Sequence, residues 1–364
     1  MSKQIRWGLV GTGMITRRFA ADLKHSQTGV ATAVASRTRA NAEGLIAEFA
    51  PGAVACSFDD LLARDDVDVV FLGTPNDAHA PLMKAAIGAG KPVLCEKPFV
   101  LDAAEAEEVA EAARAAGVFC MEAMWSRFIP AVQELKARVA AGEIGEVKHF
   151  RAALGMPSDL TTPSRLTSSA QGGGALMDLG VYGVSLADYI LGPGALVAAR
   201  GRMIGEGVDS DCMLQMRHGS GVLSHVSASL SCELENVLEV AGDRGRLVLE
   251  SPFINAVRLR HTAFGPPRPG KDSDGAVKTL LKRSGLWPLA RKIARTATGM
   301  DGRSKALTYV GIGLHFQIDH VAACLAGGKL ESEVMPLDAS CRVMRIIDAA
   351  RAEMVASDQT PPAT

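Results

Sequence analysis

The stretch IRWGLVGTGMIT, residues 5–16, decides the fold of this chain. Its first six residues form an apolar run of strand length, and two glycines then lead directly into a helical pattern. Gly11 permits a tight turn, and Gly13 lets the backbone approach a pyrophosphate at a helix N-terminus, where free N–H groups favour anions. Such glycines indicate a dinucleotide-binding turn only between a strand and a helix, which is their setting here. Thr16 stands where a third small residue is usual, which puts the helix–strand packing in doubt.

Around this stretch, short β-branched runs alternate with alanine-rich helical patterns up to about Ala123. This alternation predicts βαβ units and a parallel sheet that is covered on both faces. We therefore predict an α/β fold whose N-terminal domain, residues 1–124, is a doubly wound Rossmann sheet. The predicted strands are 5–10, 30–36, 67–73, 92–95 and 118–121, with helices such as 102–116 between them.

After Gly145 the pattern changes to the period-two alternation of half-buried strands, most clearly over residues 222–230. Glycine-rich turns at 218–221 and 242–245 suit hairpins. We predict a C-terminal α+β domain, residues 125–364, with a large, mostly antiparallel sheet. Helical patterns at 312–326 and 337–355 close the domain, and the tail 359–364 is predicted to be disordered.

Length and composition bound the function. A chain of 364 residues with 48% hydrophobic composition is large enough for two cores, and its formal net charge of -1 gives no general attraction to nucleic acid or to an anionic membrane. Seven scattered cysteines without a C-x-x-C pair predict reduced thiols and no metal site. No apolar run suits a signal segment or a membrane span. We expect a cytoplasmic protein that binds a small molecule.

The end of the second predicted strand bears on cofactor choice. Ser36, Arg37 and Arg39 lie there, and residues 30–42 contain no Asp or Glu. A carboxylate at this point would accept both ribose hydroxyls, whereas guanidinium with hydroxyl suits a 2′-phosphate. The pattern favours NADP over NAD by roughly tenfold or more, with NAD still possible. The alternative is a solvated loop with two basic residues.

Two further polar segments follow the ends of predicted strands, at residues 73–76 and 96–98. In an open parallel sheet the ligand crevice lies outside the carboxyl ends of the strands, so both segments are expected to border the cofactor. Lys97 is the leading candidate for a catalytic residue.

Four motifs occur in order along the chain: GTGMIT at 11–16, GTPNDAH at 73–79, CEKPF at 95–99 and GGGALMDLGVY at 172–182. With these, the chain resembles the Gfo/Idh/MocA family of oxidoreductases. The segment EAMWSRF at 122–128 makes it most similar to the dimeric dihydrodiol dehydrogenase and NADP-dependent D-xylose dehydrogenase branch. The resemblance covers nearly the whole chain apart from one insertion.

The resemblance implies an NADP-dependent enzyme in which Lys97 is catalytic and Tyr182 assists it, with Asp178 as the carboxylate of the same segment. It also implies homodimers that form through the open face of the C-terminal sheet, and a carbohydrate or diol substrate. The family's motif positions add Thr74, Asn76, His79, Glu96, Trp125 and Arg127 to the cofactor site. The full predicted cofactor set is Gly11, Gly13, Met14, Ile15, Ser36, Arg37, Thr74, Pro75, Asn76, His79, Glu96, Lys97, Trp125 and Arg127.

Oxidation of an alcohol needs a base beside the hydroxyl, and we expect Lys97 and Tyr182 to share that work. A fall of about three units in the pKa of Lys97 would let its amine act near neutral pH. Asp178 and Tyr182 are four residues apart, which places them on one helical face. Simpler interpretations stay open: a surface lysine for Lys97, a first-turn acid for Asp178, packing for Tyr182, capping or ion pairing for His79 and Glu96, and an interdomain anchor for Trp125 and Arg127.

The segment 265–305 fits neither pattern and carries ten Lys or Arg against three Asp, a local charge of +7. We predict two short basic helices that either fold over the crevice or a dimer partner, or form a solvated excursion. Two other functions also stay open on this fold: an NAD-dependent glycoside hydrolase, which Arg37 disfavours, and a non-catalytic cofactor-sensing regulator, which the presence of both Lys97 and Tyr182 disfavours.

Overall fold

A computed structural model describes residues 4–204, 207–265, 280, 283–286, 288–290 and 302–358. The tail 359–364 and most of the basic insertion 265–305 lie outside the described residues, so the predictions made for them do too.

The first sheet has six parallel strands in the order β3-β2-β1-β4-β5-β6. This is the strand order of a doubly wound dinucleotide-binding fold, and the predicted N-terminal architecture is confirmed. All five predicted strands are present with ends shifted by at most two residues. The three-residue β3 was not predicted, because so short a run carries no periodicity. The strands are β1 (Ile5–Val10), β2 (Gly29–Ala35), β3 (Val54–Cys56), β4 (Val69–Leu72), β5 (Val93–Glu96) and β6 (Cys120–Ala123).

Helices cover this sheet, and one of them shows how the sequence sets its ends. In the helix over Ala103–Ala116, the side chain of Asp102 accepts a hydrogen bond from the Glu105 N–H, and Gly117 ends the helix at φ 64. The first six helices are α1 (Met14–Leu23), α2 (Arg39–Phe49), α3 (Phe58–Leu62), α4 (His79–Gly88), α5 (Ala103–Ala116) and α6 (Pro130–Ala140).

The turn between β1 and α1 explains the departure at Thr16. Gly11 adopts φ +91, and a Cβ there would lie 2.6 Å from the carbonyl oxygen of Gly73. Thr16 is fully buried and its hydroxyl donates to that same carbonyl at 3.2 Å. A Cβ on Gly73 would lie only 2.2 Å from Thr16 Oγ1. The absent side chain at Gly73 therefore makes room for Thr16, and the helix packs on the sheet.

Among the described residues the second sheet has eight strands in the order β14-β13-β12-β11-β7-β10-β9-β8, of which only the pair β7 and β10 is parallel. The predicted mostly antiparallel sheet is confirmed, and both predicted glycine turns join hairpin strands. The edge strand β14, at the end of the basic insertion, was not predicted. The strands are β7 (Val147–Gly155), β8 (Gly194–Ile204), β9 (Val208–His218), β10 (Leu223–Ser229), β11 (Leu238–Gly242), β12 (Gly245–Leu249), β13 (Arg258–Ala263) and β14 (Arg303–Ala306).

Three further helices are α7 (Val181–Leu191), α8 (His315–Ala326) and α9 (Leu337–Asp358). The long helix α9 packs against β8 and α7 of the C-terminal half and against α5 and β6 of the N-terminal half. Ser340 donates to the buried carboxylate of Glu122 at 2.7 Å, and Asp348 accepts from the Ala103 N–H at 2.8 Å. These bonds join the two halves into one frame around the crevice.

Within the described parts of the chain, one helical stretch, Ser169–Leu191, is long and apolar enough by composition to cross a membrane. Its mean hydropathy reaches 1.2, and 78% of that window is buried inside the protein. The stretch contains α7, which packs under the second sheet, so its apolar character has an explanation in the fold.

Candidate active site

The carboxyl ends of β1, β4 and β5 meet at one edge of the first sheet, where the strand order reverses between β1 and β4. The glycine turn at 11–13 follows β1, residues 73–76 follow β4, and Lys97 follows β5. This is the edge at which open α/β sheets bind ligands. The structure thus brings the three predicted motif segments to one crevice.

Lys97 points from this edge toward the start of the helix that carries Asp178. Its Nζ donates to the backbone oxygen of Asp178 at 2.8 Å and to Oδ1 of the same residue at 3.1 Å. The ammonium also lies 4.9 Å from the ring centroid of Tyr182. Because the side chains of Lys97 and Asp178 are only 14% and 13% exposed, the pair is largely withdrawn from water.

The local fold explains why Asp178 and Tyr182 both reach the lysine. Residues Leu176–Gly180 form one π-helical turn that runs straight into α7. The buried carboxylate of Asp209 accepts from the Leu176 N–H at 2.8 Å and fixes the start of this turn. Gly174 adopts φ +106 there, and a Cβ on it would lie 2.2 Å from Asp209 Oδ1. The predicted common face is present, although its first turn is wider than an α-helix.

Trp125 holds the hydroxyl of Tyr182. Its indole Nε1 donates to the Tyr182 oxygen at 3.0 Å, and the two rings meet edge to face at 84° with centroids 6.3 Å apart. Since the phenol oxygen accepts this bond, its own hydrogen stays available for donation. Burial raises the pKa of Tyr182, so the phenol is protonated at neutral pH.

The proton affinity of Lys97 differs from the sequence-based expectation. Burial disfavours its charge, but the surrounding Asp178, Tyr182 and Glu96 outweigh burial and raise the pKa of Lys97 above its ordinary value. The expected fall was therefore wrong for the chain's own residues, because the charges supplied by a distant segment exceed the effect of burial. Lys97 is an ammonium at neutral pH.

Two polar atoms at the carboxyl ends of β4 and β5 are buried without a partner in the described structure: Thr74 Oγ1 and Glu96 Oε1. The other oxygen of Glu96 accepts from the Lys97 backbone N–H at 3.0 Å. Burial raises the pKa of Glu96 to about 7. Buried polar atoms without partners are costly in a folded protein, and such atoms at a crevice fit a ligand that supplies the missing bonds.

The glycine turn offers matching space for a dinucleotide. A Cβ built on Gly13 would meet only one atom within 4 Å, the oxygen of Gly73 at 4.0 Å. No side chain caps α1, and no acidic residue lies in its first turn, so its N–H groups are open to an anion. With the two unpartnered atoms, this turn fits the predicted nicotinamide dinucleotide.

His79 and Asn76 connect the loops that surround this site. The ring nitrogens of His79 lie 3.0 Å from the oxygen of Pro98 and 3.1 Å from the oxygen of Thr74. Burial lowers the pKa of His79, so the ring is neutral at neutral pH and its single N–H donates to one of these two carbonyls. Asn76 Nδ2 donates to the backbone oxygen of Gln171 at 3.0 Å. Both residues hold the loops in place.

The structure places Arg127 outside this cluster. Its guanidinium is 1% exposed and donates to the Ser185 hydroxyl at 2.9 Å, to the Ser185 carbonyl at 2.7 Å and to the Val334 carbonyl at 3.0 Å. Asp188 lies 3.5 Å away. Every nitrogen of the group is thus occupied by the protein, and the arrangement matches the alternative role of an interdomain anchor.

The predicted 2′-phosphate residues lie at the surface beyond β2. Arg37 is exposed and has no ion pair or hydrogen bond to the described residues, whereas Arg39 pairs with Glu43 at 2.8 Å. The hydroxyl of Ser36 accepts a long bond of 3.4 Å from the Thr38 N–H. Arg37 is therefore available to a ligand and Arg39 is engaged. The remaining predicted contacts border the crevice: Met14 and Pro75 are exposed, and Ile15 is half-buried.

Sequence reasoning missed Arg165. Its Nη1 donates to Asp178 Oδ1 at 3.1 Å, the same oxygen that Lys97 contacts. Arg165 belongs to no quoted motif and lies between β7 and the π-helical turn, so only the folded structure brings it to the site.

Comparisons with known proteins agree with this architecture. A family model described as an oxidoreductase family with an NAD-binding Rossmann fold matches residues 5–124, and the GFO/IDH/MocA C-terminal domain matches residues 132–248. Trans-1,2-dihydrobenzene-1,2-diol dehydrogenase of Bos taurus is 31% identical over 360 residues, covering 95% of this chain and 96% of that protein. The Mus musculus protein of the same name is also 31% identical, with the same two coverages.

Two solved structures share the fold across the whole chain. Aldose-aldose oxidoreductase from Caulobacter crescentus, complexed with glycerol, superposes with a TM-score of 0.80 at 23% identity, covering 98% of each chain. A 3-ketoreductase from Actinomadura kijaniata, in complex with NADP and TDP-benzene, gives 0.78 at 24% identity, covering 97% of this chain and 98% of that one. The family matches and the curated relatives confirm the predicted resemblance: this chain belongs to the Gfo/Idh/MocA family of NAD(P)-dependent oxidoreductases.

Proposed function

We propose that this protein is an NADP-dependent oxidoreductase that transfers hydride between the nicotinamide and a hydroxyl or carbonyl of a sugar, polyol or trans-dihydrodiol. The observation that carries the proposal is the Lys97 ammonium, held between Asp178 and Tyr182 at the ligand edge of the first sheet. The names of the diol dehydrogenase relatives and of the aldose oxidoreductase support this substrate class.

A bound nicotinamide would supply or accept the hydride, and the chain's own residues would manage the proton. When a carbonyl is reduced, the Lys97 ammonium or the Tyr182 phenol donates a proton to the substrate oxygen. When an alcohol is oxidised, the hydroxyl proton passes to the same pair, which must first have lost one. Because the pKa of Lys97 is raised, oxidation is expected to gain from alkaline pH, whereas the proton donor for reduction is already fully protonated near neutral pH and is lost only under alkaline conditions.

The residues that would hold the cofactor divide by the part that they contact. We assign the pyrophosphate to the turn at Gly11 and Gly13, flanked by Met14 and Ile15, and the nicotinamide side to Thr74, Pro75, Glu96 and Lys97. Arg37 and Ser36 would contact the 2′-phosphate. We assign supporting roles to Asn76, His79 and Trp125, and the role of a structural anchor to Arg127, since its donors are occupied.

We further propose a division into a dinucleotide domain, residues 1–124, and a substrate and dimerisation domain, residues 125–364. A homodimer through the open face of the second sheet is supported by exposed apolar side chains on that sheet, Met213 at 59% and Leu223 at 45%. A cytoplasmic location completes the proposal.

The cofactor experiment measures binding of NADP and NAD to the native protein and to Arg37→Glu. We expect the native protein to prefer NADP by roughly tenfold or more, and the variant to lose that preference through repulsion of the 2′-phosphate. Arg258→Glu, which changes an exposed arginine on β13 that has no ion pair to the described residues, is the matched control and should keep the preference.

A screen of sugars, polyols and dihydrodiols, following the absorbance of the reduced cofactor, tests turnover in the same preparations. Equal affinity of the native protein for both cofactors would overturn the choice of NADP. Absence of turnover across all three substrate classes would overturn the substrate assignment.

A further inference from the structure

Arg165 shares one carboxylate oxygen with the lysine of the site. Its Nη1 and the Nζ of Lys97 each lie 3.1 Å from Oδ1 of Asp178, so the two cations are held by a single atom. Oδ2 of Asp178 has no hydrogen-bond partner in the described part of the chain. The guanidinium side chain is 47% exposed and borders the crevice.

The backbone around Arg165 is fixed. The Ser164 N–H donates to the Thr167 hydroxyl at 2.9 Å, which closes a capping box around the short helical turn that holds Arg165. The Gly174 N–H donates to the carbonyl of Leu166 at 3.0 Å and ties this turn to the segment that begins the Asp178 helix. Arg165 is thus presented to Asp178 by a defined local structure.

Charged and titratable groups approach Lys97 from every element that surrounds it. Glu96 directly precedes it at the end of β5, Glu122 lies on the neighbouring β6, and Asp178 and Tyr182 lie on the helical segment opposite. All four are acids, and their ionised forms hold the proton on Lys97. Arg165 lies on the other side of Asp178 from Lys97, and its positive charge competes with the ammonium for the same carboxylate oxygen.

We propose that Arg165 is a positioning residue: by donating to Asp178 Oδ1, it weakens the hold of that oxygen on Lys97, which then releases its proton more readily. The same arrangement leaves Oδ2 of Asp178 free to accept a hydrogen bond from a substrate hydroxyl. The inference deepens the proposed function, since a lysine that both gives and takes a proton must not be held too tightly by its carboxylate. Because Nη1 of Arg165 and Nζ of Lys97 each lie 3.1 Å from the same oxygen, they are separated by at most twice that distance. At a site largely withdrawn from water, two positive charges this close repel each other, and the repulsion lowers the proton affinity of Lys97.

The test reads Lys97 directly and needs no cofactor or substrate. A small neutral acylating reagent labels only deprotonated amines, and mass spectrometry of peptides gives the labelling rate of Lys97 relative to the exposed Lys24 at one mildly alkaline pH. In Arg165→Met we expect the labelling rate of Lys97 to fall roughly threefold to tenfold, because the Asp178 carboxylate then interacts with the ammonium only and holds its proton more strongly. Arg165→Lys should restore most of the native rate. Arg200→Met, which removes an exposed arginine on β8 that pairs with the carboxylate of Glu353, should leave it unchanged.

Asp178→Asn shows that the measurement responds to the carboxylate, since labelling of Lys97 should then become faster than in the native protein. A native or faster rate in Arg165→Met, alongside the faster rate in Asp178→Asn, would overturn the proposal. A slow rate that Arg165→Lys does not restore would overturn it too, because the charge would then not be the cause.

A parallel measurement separates this proposal from the proposed function. Where turnover is found, its pH profile in Arg165→Met should move toward alkaline pH in the oxidative direction, and Arg165→Lys should move it back. If the native protein turns over none of the tested substrates while labelling follows the expected order, the proposed function fails and the role of Arg165 stands. If the native protein turns over substrate while labelling is the same in Arg165→Met, the proposed function stands and the role of Arg165 fails.

Discussion

Two buried clusters of charge, one around Arg127 and one around Lys97, differ in how completely the central cation is enclosed by bonds within the protein. Around Arg127 each guanidinium nitrogen contacts a protein oxygen, and Asp188 is further held by both arms of Arg342 at 2.8 and 2.9 Å. At the strand ends that hold Lys97, the protein leaves Glu96 Oε1 and Thr74 Oγ1 buried without partners in the described structure, although Glu122 Oε1 and Ser126 Oγ near Arg127 are also unpartnered there.

The difference separates an anchor from a site. A buried charge whose bonds are all made within the protein stabilises one arrangement of the chain, and removing one partner leaves the other uncompensated. A buried charge beside unfilled polar atoms retains a free-energy cost that a ligand can relieve. Both clusters carry motif residues of one family, so sequence likeness alone does not distinguish them.

The largest expected effect comes from Lys97→Met. We expect turnover to fall about a hundredfold to ten-thousandfold, because the variant removes a proton donor at the reacting oxygen. Stability should fall as well, because Asp178 loses two hydrogen bonds from Lys97 and keeps only its bond to Arg165. Initial rates with the best substrate of the screen, together with urea unfolding, give both quantities. Native turnover in this variant would remove Lys97 from the mechanism.

Arg127→Met is expected to lower the stability of the protein and to leave its cofactor site intact. Loss of a fully buried guanidinium leaves two carbonyls and Ser185 Oγ unpaired, and should lower the free energy of unfolding by about 3 to 5 kcal/mol. Cofactor affinity of the molecules that stay folded should be native, as measured by fluorescence titration below the unfolding transition. A stable variant with weakened cofactor binding would instead restore Arg127 to the cofactor site.

A smaller effect, and a pH-dependent one, is expected from Glu96→Gln. The pKa of Glu96 is raised from 4.5 to about 7 in the folded protein, so folding favours the protonated carboxyl. That contribution is fully present below about 4.5 and is lost as the pH rises through about 7, a total of about 3 kcal/mol. Glutamine cannot ionise, so the variant should gain stability relative to the native protein on going from about pH 5 to about pH 8.

Urea unfolding of both proteins at the two pH values measures this difference directly. A constant difference between native and variant across the range would show that the Glu96 carboxyl finds a partner or solvent in the folded state. The comparison of the two clusters would then lose its main support.

The architecture could be predicted because short stretches of sequence show the periodicity of each strand and helix. Strand β1 lies at its predicted residues, and the parallel order of the first sheet follows from alternation with helices. Strand β3 was not predicted because three residues are too few to show a period-two pattern. Strand β14 was not predicted because it follows a long basic segment without alternation of apolar and polar residues. These misses concern edge strands, where few residues are buried.

The site could be predicted only in part. Motif order indicated Lys97, Asp178 and Tyr182, and the structure brings them together. The direction of the Lys97 pKa could not be obtained in this way, because it depends on the balance between burial and charges that lie 81 residues away in the chain. Arg165 could not be found either, since a surface loop residue acquires its role only through one contact.

The way α9 closes over the first sheet has a consequence for how the chain acquires its structure. The carboxylate of Glu122 receives its hydrogen bond from Ser340, 218 positions later, and Leu101 receives the guanidinium of Arg351, 250 positions later. Until α9 is translated, the carboxylate of Glu122 lacks the Ser340 hydroxyl and has only its partners within the N-terminal half of the chain, the Phe99 backbone and the cations Lys97 and Arg127. Contacts of such high sequence separation slow the final assembly, and this half is most exposed to aggregation and proteolysis during that interval.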